Sequence, residues 1–229
     1  MFIHNAISKG TKILKDRAIL TANLDSEILM ARVLKKDRKY VLLNSQKKIS
    51  NEDFNVYEKL INERSLRKPV AYLINKKFFW KSEFYVNSDT LIPRPETELI
   101  VENVLNLTKQ KNKLHVLDIG IGSGCILLSI LNERKNFYGT GIDVSTKCLN
   151  ISKINALSLN LSRRLKLFKS NIDKFFNGKY DLIVSNPPYI NKKDLKYLER
   201  DVFNFEPKLA LDGGLDGLSE IRKVIKKSS

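Results

Sequence analysis

Leu114-His115-Val116-Leu117-Asp118-Ile119-Gly120-Ile121-Gly122-Ser123-Gly124, running into Cys125-Ile126-Leu127-Leu128-Ser129-Ile130-Leu131, sets the fold class of this 229-residue chain. Residues 114–118 form a short apolar run that reads as a buried strand, and residues 125–131 read as an apolar helix. Three glycines between them, spaced G-x-G-x-G, permit a tight turn and close approach of a ligand to the backbone at the helix N-terminus. Such a loop alone does not separate one nucleotide-type ligand from another. The carboxylate of Asp118 narrows the choice. It can accept from an ammonium, directly or through water, which suits a ligand carrying an amino-acid moiety better than a pyrophosphate.

Outward from this stretch the alternation continues. Tyr138 to Ile142 reads as a second strand, Ser145 as the cap of a helix through Ala156, Leu165 to Phe168 as a third strand and Tyr180 to Ser185 as a fourth. A β-α-β-α-β order implies a parallel, doubly wound α/β sheet. Asp143 ends the second strand, where an acid can take both hydroxyls of a ribose; the plainer alternative is a helix N-terminal charge beside Ser145. Gly217 to Lys227 reads as an amphipathic helix, with Leu218, Ile221, Val224 and Ile225 on one face.

Upstream, residues 1 to about 68 read as helical. Asn23 or Asp25 is the expected cap of a helix carrying Leu24, Ile28, Ala31 and Leu34. Ser50 and Asp53 resemble a capping box, and Pro69 is expected to close the helix that follows. Phe78 to Val86, aromatic with a polar break, reads as a hairpin between two domains. The expected division is a helical domain over 1–75, a hairpin and linker over 76–95, and the α/β domain over 96–229.

No stretch approaches the length of a membrane span, and Met1-Phe2-Ile3-His4-Asn5 opens no signal-like apolar region, so a cytoplasmic location is expected. Cys125 and Cys148 sit in apolar segments without metal-ligand spacing and read as buried free thiols. With two histidines in the chain, one of them His115 at the start of a strand, neither His-based catalysis nor a metal site is expected. The net charge is +16, from 41 basic and 25 acidic residues. It fits a polyanionic partner such as nucleic acid, or a lysine-rich composition whose pairs are scattered along the chain.

Directly after the fourth strand stands Asn186-Pro187-Pro188-Tyr189. Two prolines make a rigid corner poor in donors, in which the Asn186 side chain and the Pro187 carbonyl can both act as acceptors. Such a corner grips a planar NH₂ group by its two hydrogens and leaves the nitrogen lone pair facing out. The chemistry that suits it is alkylation of an amide or amino nitrogen.

The glycine loop, Asp143 and this tetrad together resemble the class I, Rossmann-like S-adenosylmethionine-dependent methyltransferases, in their amide- and amino-methylating branch. Pro69-Val70-Ala71-Tyr72-Leu73, Phe79-Trp80, Leu91-Ile92-Pro93-Arg94-Pro95-Glu96-Thr97-Glu98, Phe205-Glu206-Pro207 and Asp212-Gly213-Gly214-Leu215-Asp216-Gly217-Leu218 narrow the resemblance to the protein-(glutamine-N5) methyltransferases that modify peptide chain release factors. The resemblance implies S-adenosyl-L-methionine as cofactor and class-1 release factors as partners, with a helical substrate-docking N-terminal domain and a monomer as the default. It implies that Gly120, Ile121, Gly122, Ser123 and Gly124 cradle the methionine part and that Asp143 holds the ribose. Ile172 would lie near the adenine and Asn186 beside the cofactor. Asn186 and the Pro187 carbonyl would bind the substrate amide, with Pro188 and Tyr189 shaping the slot and residues 94–98 helping to close it.

This sequence departs from the family pattern at Asn75 and near Lys81, where relatives carry glycine, and at Asn171, where many carry an acid. The family also has further strands beyond the helix at 217–227, so the last strands of the sheet are expected to be missing and Tyr180 to Ser185 to form an open edge. Other readings are the same chemistry on a ribosomal-protein glutamine, amino-group methylation of DNA or RNA with salt-dependent nucleic-acid binding, and an inactive remnant; the release-factor reading requires no direct nucleic-acid binding.

Overall fold

The computed structural model describes residues 1–228. The chain divides into two compact units, Met1–Asn75 with Arg200–Phe205, and Lys76–Glu199 with Glu206–Ser229.

The first unit holds five consecutive helices, α1 (Ile3–Asp16), α2 (Ala22–Leu34), α3 (Arg38–Leu43), α4 (Asn51–Ser65) and α5 (Val70–Ile74). Ile3, Ala6, Gly10 and Leu14 line one face of α1 and are buried with Leu29, Met30, Tyr57 and Ile61. A Cβ at Gly10 would come within 2.3 Å of the Tyr57 hydroxyl, so a bare backbone there lets α1 and α4 meet.

Two expected boundaries are corrected. The cap of α2 is Thr21, not Asn23 or Asp25, which lie in the first turn. Their side chains are engaged elsewhere: Asn23 donates to Glu27 at 2.7 Å, and buried Asp25 accepts from Arg64 at 2.7 Å. Helix α4 opens on the expected box, with Ser50 Oγ accepting the Asp53 N–H at 3.0 Å. It ends at Ser65 rather than at Pro69, because the chain reverses at Arg67 (φ 75°), and Pro69 instead leads into α5.

The second unit begins with an antiparallel hairpin, β1 (Lys76–Phe79) and β2 (Ser82–Tyr85). Its turn places Trp80 at φ 56°, a conformation that favours glycine. Two hydrogen bonds hold it there, from the Trp80 N–H to Glu98 at 2.7 Å and from its indole to Glu133 at 2.9 Å. Asn75, just before the hairpin, is also left-handed at φ 56°.

Then follow α6 (Glu98–Leu107), β3 (His115–Ile119), α7 (Cys125–Glu133), β4 (Tyr138–Asp143), α8 (Thr146–Ser158), β5 (Leu165–Lys169) and β6 (Leu182–Ser185). The strands form one parallel sheet in the order β5-β4-β3-β6. Gly139 and Gly141 keep β4 bare where Leu127 and Ile121 pack; a Cβ on Gly141 would lie 2.2 Å from Ile121 Cδ1. Ser145 caps α8 as expected, accepting the Cys148 N–H. Among the described residues β6 pairs only with β3.

Helix α9 (Arg200–Phe205) belongs to the first unit, although it follows β6 in sequence. Asp201 accepts from Arg64 Nη1 at 2.6 Å. Burial opposes the Arg64 charge, but Asp25 and Asp201 outweigh it and raise its pKa. Helix α10 (Ser219–Ser228) starts two residues later than the sequence pattern indicates, after left-handed turns at Gly214 and Gly217. Among the described residues no helix is long and apolar enough to cross a membrane, and no cluster of candidate metal ligands occurs.

Candidate active site

Sheet topology brings the predicted residues of the second unit to one end of one sheet. Strand β3 is the point at which the winding reverses, since β4 lies on one side of it and β6 on the other. In parallel sheets of this kind, ligands bind beyond the carboxyl ends of the strands at that point. Ile119 pairs with Ile142 and with Ser185, so the chain leaves β3, β4 and β6 at the same level. Gly120, Asp143 and Asn186 occupy those three exits. Ser185 Oγ closes the junction, donating to the Ile119 carbonyl at 2.7 Å.

The glycine loop is fixed from below and open above. Gly120 and Ile121 both donate to the Ile142 carbonyl, at 2.9 and 3.0 Å. Gly120, Gly122 and Gly124 all have positive φ, at 76°, 55° and 82°. A Cβ built on Gly120 meets nothing within 4 Å, and one on Gly122 meets only the Gly120 carbonyl at 3.9 Å. Glycine at these two positions therefore serves the backbone angle and an open surface, not internal packing. At Gly124 packing also decides, because a Cβ would lie 2.9 Å from Leu128.

Two carboxylates flank this loop. Asp143 accepts the Gly122 N–H at 3.0 Å on one oxygen and the Ser145 N–H at 2.8 Å on the other. It thus does serve the start of α8, the plainer role, yet a carboxylate accepts about four hydrogen bonds and capacity remains for two hydroxyls. Burial raises its pKa, against those two amides. Asp118 is 1% exposed, and neither of its oxygens has a hydrogen-bond partner of good geometry. Burial pushes its carboxyl up to about 7, the Leu127 N–H opposes the rise and the nearby Asp143 charge adds to it. Ile172 is buried against Leu117, Ile119, Ile142 and Phe175 at the same end of the sheet. Asn171 beside it accepts the Lys174 N–H in a turn.

The tetrad after β6 is braced by backbone. Ile190 donates to the Leu211 carbonyl at 3.1 Å and accepts from Gly213 at 2.8 Å. A Cβ on Gly213 would sit 2.8 Å from Tyr189 Cα and 2.9 Å from the Pro188 oxygen, and one on Gly217 would sit 2.6 Å from the Tyr189 oxygen. The Asn186 amide donates to Thr97 Oγ1 at 3.4 Å, which turns its carbonyl end away from Thr97. Tyr189 is 64% exposed.

Three further residues shape this region without a site role assigned from sequence: Ser152 and Asn155, which lie in no motif, and Glu206 of the Phe205-Glu206-Pro207 stretch. Ser152 donates to the Gly122 carbonyl at 2.7 Å, and buried Asn155 donates to the Ser123 carbonyl at 2.8 Å while pairing with both backbone groups of Tyr85. Glu206, also buried, accepts from the Ile92 N–H at 3.3 Å and from Arg94 at 2.5 Å, fixing the segment that carries Thr97. Ser152 and Asn155 carry no sequence signal of these contacts, and the motif around Glu206 does not name its partners.

The residues present fit an amino-acid-bearing nucleoside: a bare backbone cradle, an orphaned buried carboxylate for an ammonium, and a second carboxylate with spare acceptor capacity. The models for the PrmC N-terminal domain and the methyltransferase small domain match residues 5–74 and 95–212. The chain is 40% identical over 205 residues to the release factor glutamine methyltransferase of Buchnera aphidicola subsp. Schizaphis graminum, covering 90% of this chain and 74% of that one. It is 37% identical to that of Caulobacter vibrioides (92% of this chain, 73% of the relative) and 37% identical to that of Clostridium acetobutylicum (100% and 81%). Among solved structures, the hMettl16 catalytic domain superposes with a TM-score of 0.53 at 21% identity, over 63% of this chain and 55% of that one, a likeness of fold. With its S-adenosylmethionine-type cradle on a class I Rossmann-like sheet, the chain belongs to the release factor glutamine methyltransferase family.

Proposed function

We infer that this chain transfers a methyl group from S-adenosyl-L-methionine to the side-chain amide nitrogen of the glutamine in the Gly-Gly-Gln motif of class-1 release factors. The observation that carries the reading is the register of Ile119 with Ser185, from which the glycine cradle and Asn186 leave adjacent strands side by side. The cofactor supplies an electrophilic methyl group on a sulfonium. Gly120 to Gly124 hold its amino-acid end, Asp118 neutralises the ammonium, Asp143 takes the ribose hydroxyls and Ile172 lies toward the base.

Asn186 and the Pro187 carbonyl accept the two hydrogens of the substrate amide, while Pro188 and Tyr189 bound the slot. An amide nitrogen is a poor nucleophile because its lone pair is delocalised into the carbonyl. Two acceptors on its hydrogens favour charge on nitrogen and aim the lone pair at the methyl, so positioning and electrostatics carry the rate. With the cofactor bound, the amide nitrogen would take the methyl group as its bond to sulfur breaks, and the proton would leave to water once alkylation has made the nitrogen acidic. No general base is assigned.

The first unit is the docking surface for the release factor. Leu20, Leu24 and Leu66, 101%, 40% and 69% exposed, support an apolar protein contact there. The chain works as a monomer in the cytoplasm. Incubating it with S-adenosyl-L-methionine and a release factor whose Gly-Gly-Gln glutamine is changed to Glu tests the site. Loss of methyl incorporation supports the reading, and unchanged incorporation refutes it.

A further inference from the structure

Fold contacts in the first unit gather a basic and aromatic surface that no continuous stretch of sequence contains. The chain start runs beside residues 45–49, with Ile3 donating to Lys47, His4 to Ser45 and Ile49 to Met1. This brings Phe2 and His4 next to the end of α3. The Phe2 and His4 rings stack at 5.9 Å with 22° between their planes, and Lys48 lies 5.8 Å above Phe2. Tyr40 is flanked by Lys36 at 5.5 Å and by Lys47 at 5.2 Å. Phe2 is 37% exposed and Tyr40 half-buried, and neither belongs to the buried core.

Charge in this region is lopsided. Residues 32–48 hold Arg32, Lys35, Lys36, Arg38, Lys39, Lys47 and Lys48 against the single acid Asp37. Asp37 is used to cap α3, and Arg38 is paired with Glu27. Among the described residues Lys36, Lys39, Lys47 and Lys48 form no ion pair. A groove of about 540 Å³ reaches His4 and Ser45 and is lined also by Lys12, Lys15, Asp16 and Glu27, though by none of these four lysines. Its size falls within the range of small-molecule sites.

We propose that this face of the first unit binds single-stranded RNA. Lys36, Lys47 and Lys48 lie over the rings in the free chain and swing out to meet phosphates, leaving the faces of Tyr40 and the Phe2–His4 pair to bases. Single-strand binding surfaces combine a basic track with aromatic platforms in this way, because every base has a face to stack. An acidic peptide would gain from the lysines but not from the rings. The proposal goes beyond methyl transfer and stands or falls apart from it.

The test is fluorescence anisotropy of the full chain with labelled oligoadenylate and oligouridylate of about twelve nucleotides, titrated with salt from about 50 mM upward. The expected result is salt-dependent binding, tighter for adenylate because it stacks better. Tyr40→Ala should weaken it about 5- to 10-fold with the salt slope unchanged, Tyr40→Phe should restore it, and the Lys36→Gln/Lys47→Gln/Lys48→Gln variant should lower the slope by about two. Circular dichroism checks that each variant is folded. Three outcomes would overturn the proposal: no binding at the lowest salt, binding indifferent to Tyr40→Ala, or displacement of RNA by polyglutamate of equal charge, which would mark a surface for acidic protein.

Discussion

Asn186 has one amide end directed to Thr97 and the other available as an acceptor, so truncating it removes orientation without emptying the cradle. Asn186→Ala is expected to lower kcat on the order of 10²- to 10³-fold, the loss typical of one preorganised polar group, with cofactor affinity within a few-fold. Single-turnover assays beside calorimetric cofactor titration check both halves. Asp118 makes a separable, pH-dependent prediction. Its folded carboxyl is raised from 3.8 to about 7 by burial, so its contribution to stability is complete below the unfolded value and is lost as pH rises toward about 7. Asp118→Asn should therefore be more stabilised relative to the parent at about pH 8 than at about pH 5 in urea unfolding. A pairing ammonium favours the ionised form, so cofactor affinity should climb with pH up to about 7 in the parent and stay flat in the variant. An equal pH response in both would contradict the pairing.

At the scale of elements, the cradle depends on α8 as much as on its own glycines. Asn155 ties the loop to β2 through three hydrogen bonds, at 2.7, 3.0 and 2.8 Å. Asn155→Ala leaves three backbone groups without their partner and is expected to cost about 2–4 kcal/mol of stability. Thermal unfolding measures it, and a loss below about 0.5 kcal/mol would mean that water or relaxation replaces the bonds. Gly122→Ala is the complementary change. Its Cβ meets open space in the protein but stands at φ 55° where the ligand approaches, so cofactor affinity should fall at least tenfold while the fold survives. The strands, the glycine loop and the Ser145 and Ser50 caps were legible because each is a local signal of period, spacing or cap. The contacts of Asn155 and Glu206 were not, although Glu206 stands in a quoted motif, since their partners lie up to 70 and 114 residues away and only folding brings them together. Asp25 failed as the α2 cap for the same reason: its charge partner lies 39 residues downstream.

For the whole molecule, the sequence order of the units is interleaved. The segment after the tetrad enters the first unit as α9, anchored by the buried Asp25–Arg64–Asp201 arrangement, and returns at Glu206 to hold Arg94. Nothing local announced this, because Arg64 reads as one more basic residue at the end of a helix. Arg64→Met strands two carboxylates, one of them buried, and is expected to destabilise by about 3–5 kcal/mol. Combining it with Asp25→Asn and Asp201→Asn should recover part of the loss, since the uncompensated charges go with it. Urea unfolding of the single and combined variants checks this, and a combined variant less stable than Arg64→Met would contradict it.

The central claim concerns the end of the sheet where cradle and tetrad meet. Its most direct test is peptide mass spectrometry of a bacterial class-1 release factor after incubation with the chain and S-adenosyl-L-methionine. One added methyl group on the glutamine of the Gly-Gly-Gln loop, absent with Asn186→Ala, is the predicted result. A methyl group on another residue or on nucleic acid, or none while a relative of the family methylates the same sample, would contradict the account.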